Sequence, residues 1–218
     1  MHSSEDEQTL SIKNDNKTQY SKLLINPLPV RIFHWSLVVS LSTAIISGLE
    51  ISFTRPLVAL RIIRFAHASA GLIALAVVFY RVGYAFISGD YKTFAINAED
   101  IKTIPDLAKY YLFINKNPPP LRTKYNVGQK LIYLSWLLVI LFLAFGGILL
   151  LNSFFITKGG VFVLVSRIIL PQRLRMVKFS LTIYMVITIM LHIYLAHTSD
   201  IAKAQAMFTG WVRKKTQK

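Results

Sequence analysis

The chain has 218 residues, 54% of them hydrophobic, a mean hydropathy of +0.48 and a net charge of +15. Its apolar residues are gathered into long blocks, which excludes a soluble globular domain and identifies an integral membrane protein. Cysteine is absent, so disulfides, thiolate-held iron–sulfur clusters and thioether-linked cofactors are excluded within this chain. The positive charge lacks a basic motif interleaved with aromatic residues, and lipid headgroups rather than nucleic acid account for it.

In chain order, residues 1–27 are polar and mixed in charge, without the apolar core of a signal peptide; they are expected to form a mobile cytoplasmic arm, the first span acting as its own insertion signal. Apolar blocks at about 34–54, 65–87, 131–151 and 176–197 each approach the ~20 residues that cross the hydrocarbon layer, and only helices suit segments of that length. The apolar stretch Val161–Leu170 is interrupted by Arg167 and stopped by Pro171. It is too short to cross and is expected to lie along the outer interface. The fold class is therefore all-α, an integral membrane four-helix bundle over residues 28–212, followed by a basic tail over 213–218. With four spans, 17 of the 25 lysines and arginines fall on the side of the termini, which places both termini in the cytoplasm.

On that topology the first helix begins at the cytoplasmic face with His34 and the second at the outer face with His67, while the fourth carries Lys178 at the outer level and His192 at the inner. Lys178 and His192 are 14 residues apart, which puts them on one helix face roughly 21 Å apart. His34 then pairs with His192 and His67 with Lys178, the arrangement two stacked b haems require of facing helices. An arginine precedes three of the four positions by one turn, Arg31 before His34, Arg64 before His67 and Arg175 before Lys178. Each is suited to a haem propionate at headgroup level. Ordinary interfacial anchoring explains any one such pair; three at matched depth point to haem. Gly48, Gly71, Gly146 and Gly147 lie inside spans, where close approach of a macrocycle and plain helix packing are both served.

Four segments carry a family resemblance: Arg31-Ile-Phe-His34-Trp35, Arg64-Phe-Ala-His67 with Gly71, Lys124-Tyr-Asn-Val-Gly-Gln-Lys130, and His192-Ile-Tyr194. Over about residues 28–212 the chain resembles the bacterial di-haem cytochrome b subunits, nearest the membrane (gamma) subunit of formate dehydrogenase N and, further off, the b subunits of Ni–Fe hydrogenases and thiosulfate reductases. The resemblance implies haem b as cofactor, held by His34 with His192 and by His67 with the residue at 178. The family has histidine where this chain has Lys178, so the outer haem has an amine ligand, has one protein ligand, or is lost. A neutral amine can bind iron; a lysine reaching back to water at the outer interface is the plain alternative.

The same resemblance implies menaquinone or ubiquinone beside the inner haem, with Tyr125, Asn126 and Gln129 as hydrogen-bond partners and Gly128 admitting the ring. Asn126 also reads as an ordinary helix N-cap. His197 lies about 140° round the helix from His192, off the ligand face. The expected protein is a multi-pass cytochrome of the bacterial inner membrane, carrying electrons between quinone and the iron–sulfur and catalytic subunits of a periplasmic-side oxidoreductase. Its rivals are a self-contained quinone-linked cytochrome and a haem-free membrane anchor.

Overall fold

The structure, a computed structural model, describes residues 11–12, 20–52, 57–121, 123–155, 171–199 and 201–215. Four long apolar helices dominate it: α1 (Leu28–Ser52), α2 (Leu60–Ser88), α6 (Val127–Phe155) and α7 (Pro171–Ser199). Three short helices, α3 (Tyr91–Phe94), α4 (Ala98–Lys102) and α5 (Ile104–Tyr111), lie between the second and third spans, and α8 (Ile201–Thr209) follows the fourth. The chain is an all-α membrane bundle. The stretch Val161–Leu170 lies outside the described residues.

The spans begin four to six residues before the apolar blocks suggest. Prolines explain two of these starts. Pro29 sits in the first turn of α1 and Pro171 is the first residue of α7, positions where a missing N–H removes nothing and a fixed φ favours the helix. At α6 the start is a reciprocal cap: Asn126 Oδ1 accepts from the Gln129 backbone N–H at 2.8 Å, and Gln129 Oε1 accepts from that of Asn126 at 3.1 Å.

Packing is closest between α1 and α2, then between α2 and α6 and between α6 and α7. Midway along the bundle Val78, Ile140 and Met185 form an apolar plug, with Leu37, Leu41 and Leu137 against it. Two polar contacts join α6 to α7, Ser135 Oγ with Tyr184 Oη at 2.6 Å and Trp136 Nε1 donating to Thr188 Oγ1 at 2.8 Å. Elsewhere large apolar side chains such as Val39, Ile46, Phe145 and Met190 point outward, as lipid requires.

The segment read as a mobile arm contributes structure after all. β2 (Tyr20–Leu24) pairs antiparallel with β3 (Trp211–Lys215), and a two-residue strand, β1 (Ser11–Ile12), adds to its other edge. The physical reason is long-range: Gly210 caps α8 with a left-handed φ of 90°, and its carbonyl accepts from the backbone N–H groups of Ile25 and Asn26 at 3.0 and 3.2 Å. A side chain at 210 would be strained by that φ and would stand 3.1 Å from the Asn26 carbonyl oxygen. The strand pair, α8, and the helices between α2 and α6 together cap the end of the bundle that bears both described chain ends. That end is called near below, and the opposite one far.

Candidate functional site: two layers inside the bundle

The interior face of every span repeats once at 14 residues. His34 and Gly48 on α1, His67 and Arg81 on α2, Tyr133 and Gly147 on α6, and Lys178 and His192 on α7 are each separated by that interval. Fourteen residues leave a helix only about 40° from its starting direction and ~21 Å further along. The antiparallel helices therefore build two layers, a near one from His34, Arg81, Tyr133 and His192 and a far one from Gly48, His67, Gly147 and Lys178.

Contacts within each layer bear this out. In the near layer the His192 ring lies 5.4 Å from Trp136 and 6.4 Å from Tyr133, edge to face, and His34 is within electrostatic reach of His192. In the far layer His67 is within electrostatic reach of Lys178. A Cβ on Gly48 would stand 3.0 Å from His67 Cε1, and one on Gly147 3.2 Å from Lys178 Nζ. All four candidate ligands are half-buried, each about two turns from the end of its helix.

The two layers hold their ligands differently. His67 Nδ1 donates to the Ala44 carbonyl at 2.9 Å, with Ser47 Oγ 3.2 Å away, which fixes the tautomer and leaves the lone pair on Nε2. His34 Nδ1 is buried and has no hydrogen-bond partner among the described residues.

The three arginines one turn before the ligands share the expected face but have different surroundings. Arg31 Nη1 donates to the Phe208 carbonyl at 2.9 Å, which ties α8 to α1 alongside the 3.1 Å bond from Trp35 Nε1 to Met207; its Nε is buried with no hydrogen-bond partner among the described residues. Arg64 and Arg175 are exposed at the far end, Arg175 donating to Gln172 Oε1 at 3.3 Å. His197 Nδ1 bonds the Ile193 carbonyl at 2.8 Å on the exposed side of α7, away from both layers. A groove of about 610 Å³ between α1 and α2, lined by Ser36, Thr43 and Ser69 among others, opens on the side of α1 opposite His34.

Around 124–130 the structure gives several expected residues local partners. Asn126 and Gln129 cap each other, with Asn126 Nδ2 also 3.5 Å from Tyr111 Oη, and the open side of Gly128 is filled by Leu107 of α5, 3.1 Å from where a Cβ would stand. Tyr125 lies between Phe94, tilted at 5.1 Å, and Tyr133, edge to face at 5.3 Å, so aromatic rings run without a break from this loop to His192. Burial, with lesser contributions from Tyr133 and Asp90, pushes the Tyr125 phenol well above its usual value and keeps it a neutral donor.

Residues 26–210 match the model of the prokaryotic cytochrome b561 family. The chain belongs to that family. It is therefore a b-type cytochrome of a bacterial membrane, acting in electron transfer, and the cofactor of its family is haem b. No curated relative matches the chain.

The residues fit that cofactor. His34 and His192 bring two imidazoles together across α1 and α7, helices that scarcely pack backbone to backbone, and one of these rings has a buried nitrogen without a partner among the described residues. His67 and Lys178 likewise bridge α2 and α7, which do not pack closely either. Gly71, one turn from His67, has nothing within 4 Å of where its Cβ would stand. Such openings suit a flat macrocycle better than they suit side-chain packing. Arg81 is the residue that sequence reasoning passed over. The signal was present, since its spacing from His67 equals that of His192 from Lys178.

Proposed function

We propose that this cytochrome carries electrons between a periplasmic-side oxidoreductase, resembling formate dehydrogenase N or a Ni–Fe hydrogenase, and the quinone pool, through two b haems stacked across the membrane. When bound, haem b supplies reversible one-electron chemistry at iron. The observation that carries the reading is the pair of ligand layers separated by the plug of Val78, Ile140 and Met185. His34 and His192 hold the near site; His67 and Lys178 hold the far one, with Lys178 giving its amine nitrogen. The ordered Nδ1 bond of His67 and the glycines at 48 and 147 support the far site, because they position its two nitrogens without side-chain obstruction. Arg31, Arg64 and Arg175 serve the propionates.

The excess of lysine and arginine at the near end supports a cytoplasmic location for both termini and a periplasmic far end, where the iron–sulfur and catalytic partner subunits dock. Menaquinone or ubiquinone meets the near end beside Tyr125, whose ring chain to His192 supports that placement, with Asn126 and Gln129 at its edge and Gly128 setting the approach of α5.

Haem stoichiometry with reduced-minus-oxidised spectra tests the reading. The purified parent is expected to hold two acid–acetone-extractable haems per chain. His34→Ala and His192→Ala should each remove the same one, and His67→Ala the other. Different haems lost in His34→Ala and His192→Ala would break the pairing, and a colourless parent from haem-replete cells would sink the whole proposal. Tyr125→Phe should keep both spectra and slow quinone turnover; unchanged turnover would move the quinone elsewhere.

A further inference from the structure

Three buried side-chain nitrogens have no hydrogen-bond partner among the described residues: His34 Nδ1, Arg31 Nε and Arg81 Nη1. All three belong to the near end. The first two sit on residues already given to the cofactor, whereas the ligand pairs leave Arg81 unused.

Arg81 is held with unusual care. Its side chain is 12% exposed, its Nη2 is ion-paired with Asp90, and its guanidinium carbon lies 5.1 Å from the ring centre of Phe94, 5.7 Å from that of Phe33 and 5.8 Å from that of Tyr84. A guanidinium is planar and presents two donor edges, so binding one carboxylate through Nη2 leaves a second edge for another. A buried donor left unmade is costly, and cations kept at membrane depth mark function. The charge balance has the same sense. Arg81 shares Asp90, while Arg31 donates to the neutral carbonyl of Phe208, so the two arginines together retain net positive charge.

Position decides what anion they suit. Arg81 is the contribution of α2 to the layer that holds His34 and His192. On α1, Arg31 lies about 60° to one side of the His34 direction and Phe33, beneath the Arg81 guanidinium, about 100° to the other. Two arginines thus flank one imidazole, and haem has two propionates. We propose that Arg81 is an anion-binding residue of the near cofactor site: Asp90 and the rings of Phe33, Tyr84 and Phe94 hold its guanidinium so that Nη1 donates to one propionate carboxylate, Arg31 taking the other. This rests on the reading that His34 and His192 ligate a haem.

The test uses the full chain purified from cells fed 5-aminolevulinate carrying ¹³C at its carboxyl carbon, which labels the haem propionates. In the redox-difference infrared spectrum, Arg81→Gln should move the labelled carboxylate bands of the near haem. It should also lower that haem's midpoint potential, because removing a positive charge favours the ferric state, and transfer of the haem to apomyoglobin should be about tenfold faster. Asp90→Asn should raise the potential instead, since it removes a negative charge; a purely structural ion pair would make the two variants behave alike. Arg81→Lys keeps the charge and the Asp90 partner and carries the test if Arg81→Gln does not accumulate. It should move the labelled bands with little change in potential.

Labelled bands unmoved in Arg81→Gln or Arg81→Lys, with the near haem in place, would overturn the proposal. So would a change confined to unlabelled lipid phosphate bands. Absence of any haem dependent on His34 and His192 in the parent defeats the earlier reading instead, and the two failures are distinguishable by haem content alone.

Discussion

His67 and Lys178 make the far layer asymmetric at the level of single atoms. The imidazole is fixed by Ala44 and Ser47, whereas the amine stands at the end of four methylenes beside Gly147. A methyl group at 48 meets a ring that cannot yield; a methyl group at 147 meets a chain that can. Gly48→Ala is therefore expected to disturb the far-haem absorption strongly and Gly147→Ala weakly, with the near haem a constant internal reference in both. Equal effects would mean that the lysine is as rigidly held as the histidine. If Lys178 gives iron its amine, Lys178→His should retain the haem with an altered potential and a bis-imidazole resonance spectrum, and Lys178→Ala should change its spin state; a far haem indifferent to Lys178→Ala would make the lysine a bystander. Much of this site was legible in the sequence, because two potential ligands 14 residues apart on one apolar helix advertise themselves. Gly48 and Gly147 were legible only as points of close approach, and Arg81 was not legible at all, since its meaning comes from what a neighbouring helix presents at the same depth.

Among the elements, the cap between α2 and α6 is tied to α6 by a buried ion pair. Lys130 Nζ, on a residue 1% exposed, donates to Asp100 Oδ2 at 2.8 Å and to the Ala95 carbonyl at 2.9 Å, and the Asn97 backbone N–H adds a 3.0 Å bond to the same carboxylate oxygen. The Lys130 hydrogen bond, helped by Asn97, holds the Asp100 carboxyl below the usual carboxylate range. A depressed carboxylate contributes stability that is complete above its unfolded value near ~4 and is lost as pH falls below it. Hydrogen exchange over 95–130 should accordingly be insensitive to pH-dependent opening at neutrality and show loosening only in acid. Asp100→Asn should abolish that acid step and cost about 3 kcal/mol, because it leaves the buried lysine charge with neutral oxygens only. A variant as stable as the parent would show that the pair is replaceable by packing alone. The reciprocal cap of Asn126 and Gln129 was readable from its residue types and spacing. The ribbon of β2 and β3 was not, because each strand is five residues long and finds its partner at the other end of the chain, beyond the reach of any local pattern.

For the molecule as a whole, the proposed orientation of the bundle can be checked cleanly, since the chain has no cysteine to interfere. With single cysteines placed at Leu57 and Lys102, a membrane-impermeant maleimide should label the first in intact spheroplasts and the second only after permeabilisation; the reverse pattern would invert the topology and send the quinone to the other side. The four spans were plain in the sequence because lipid imposes one demand on every residue of a long segment, whereas the cap had to be seen, being built from short pieces that answer to one another.

The two layers also bear on the order of events at the ribosome. α1 and α2 are synthesised first and pack most closely, so the scaffold begins early. In the proposed pairing both layers draw a nitrogen from α7, the last span to emerge, and the ribbon that ties α1 to the end of the chain closes later still. Neither proposed haem site is then complete before α7 is made. On that reading colour reports that the chain has been made as far as His192: chains broken off before Pro171 should be pale in the membrane, open on their interior side and ready for a protease.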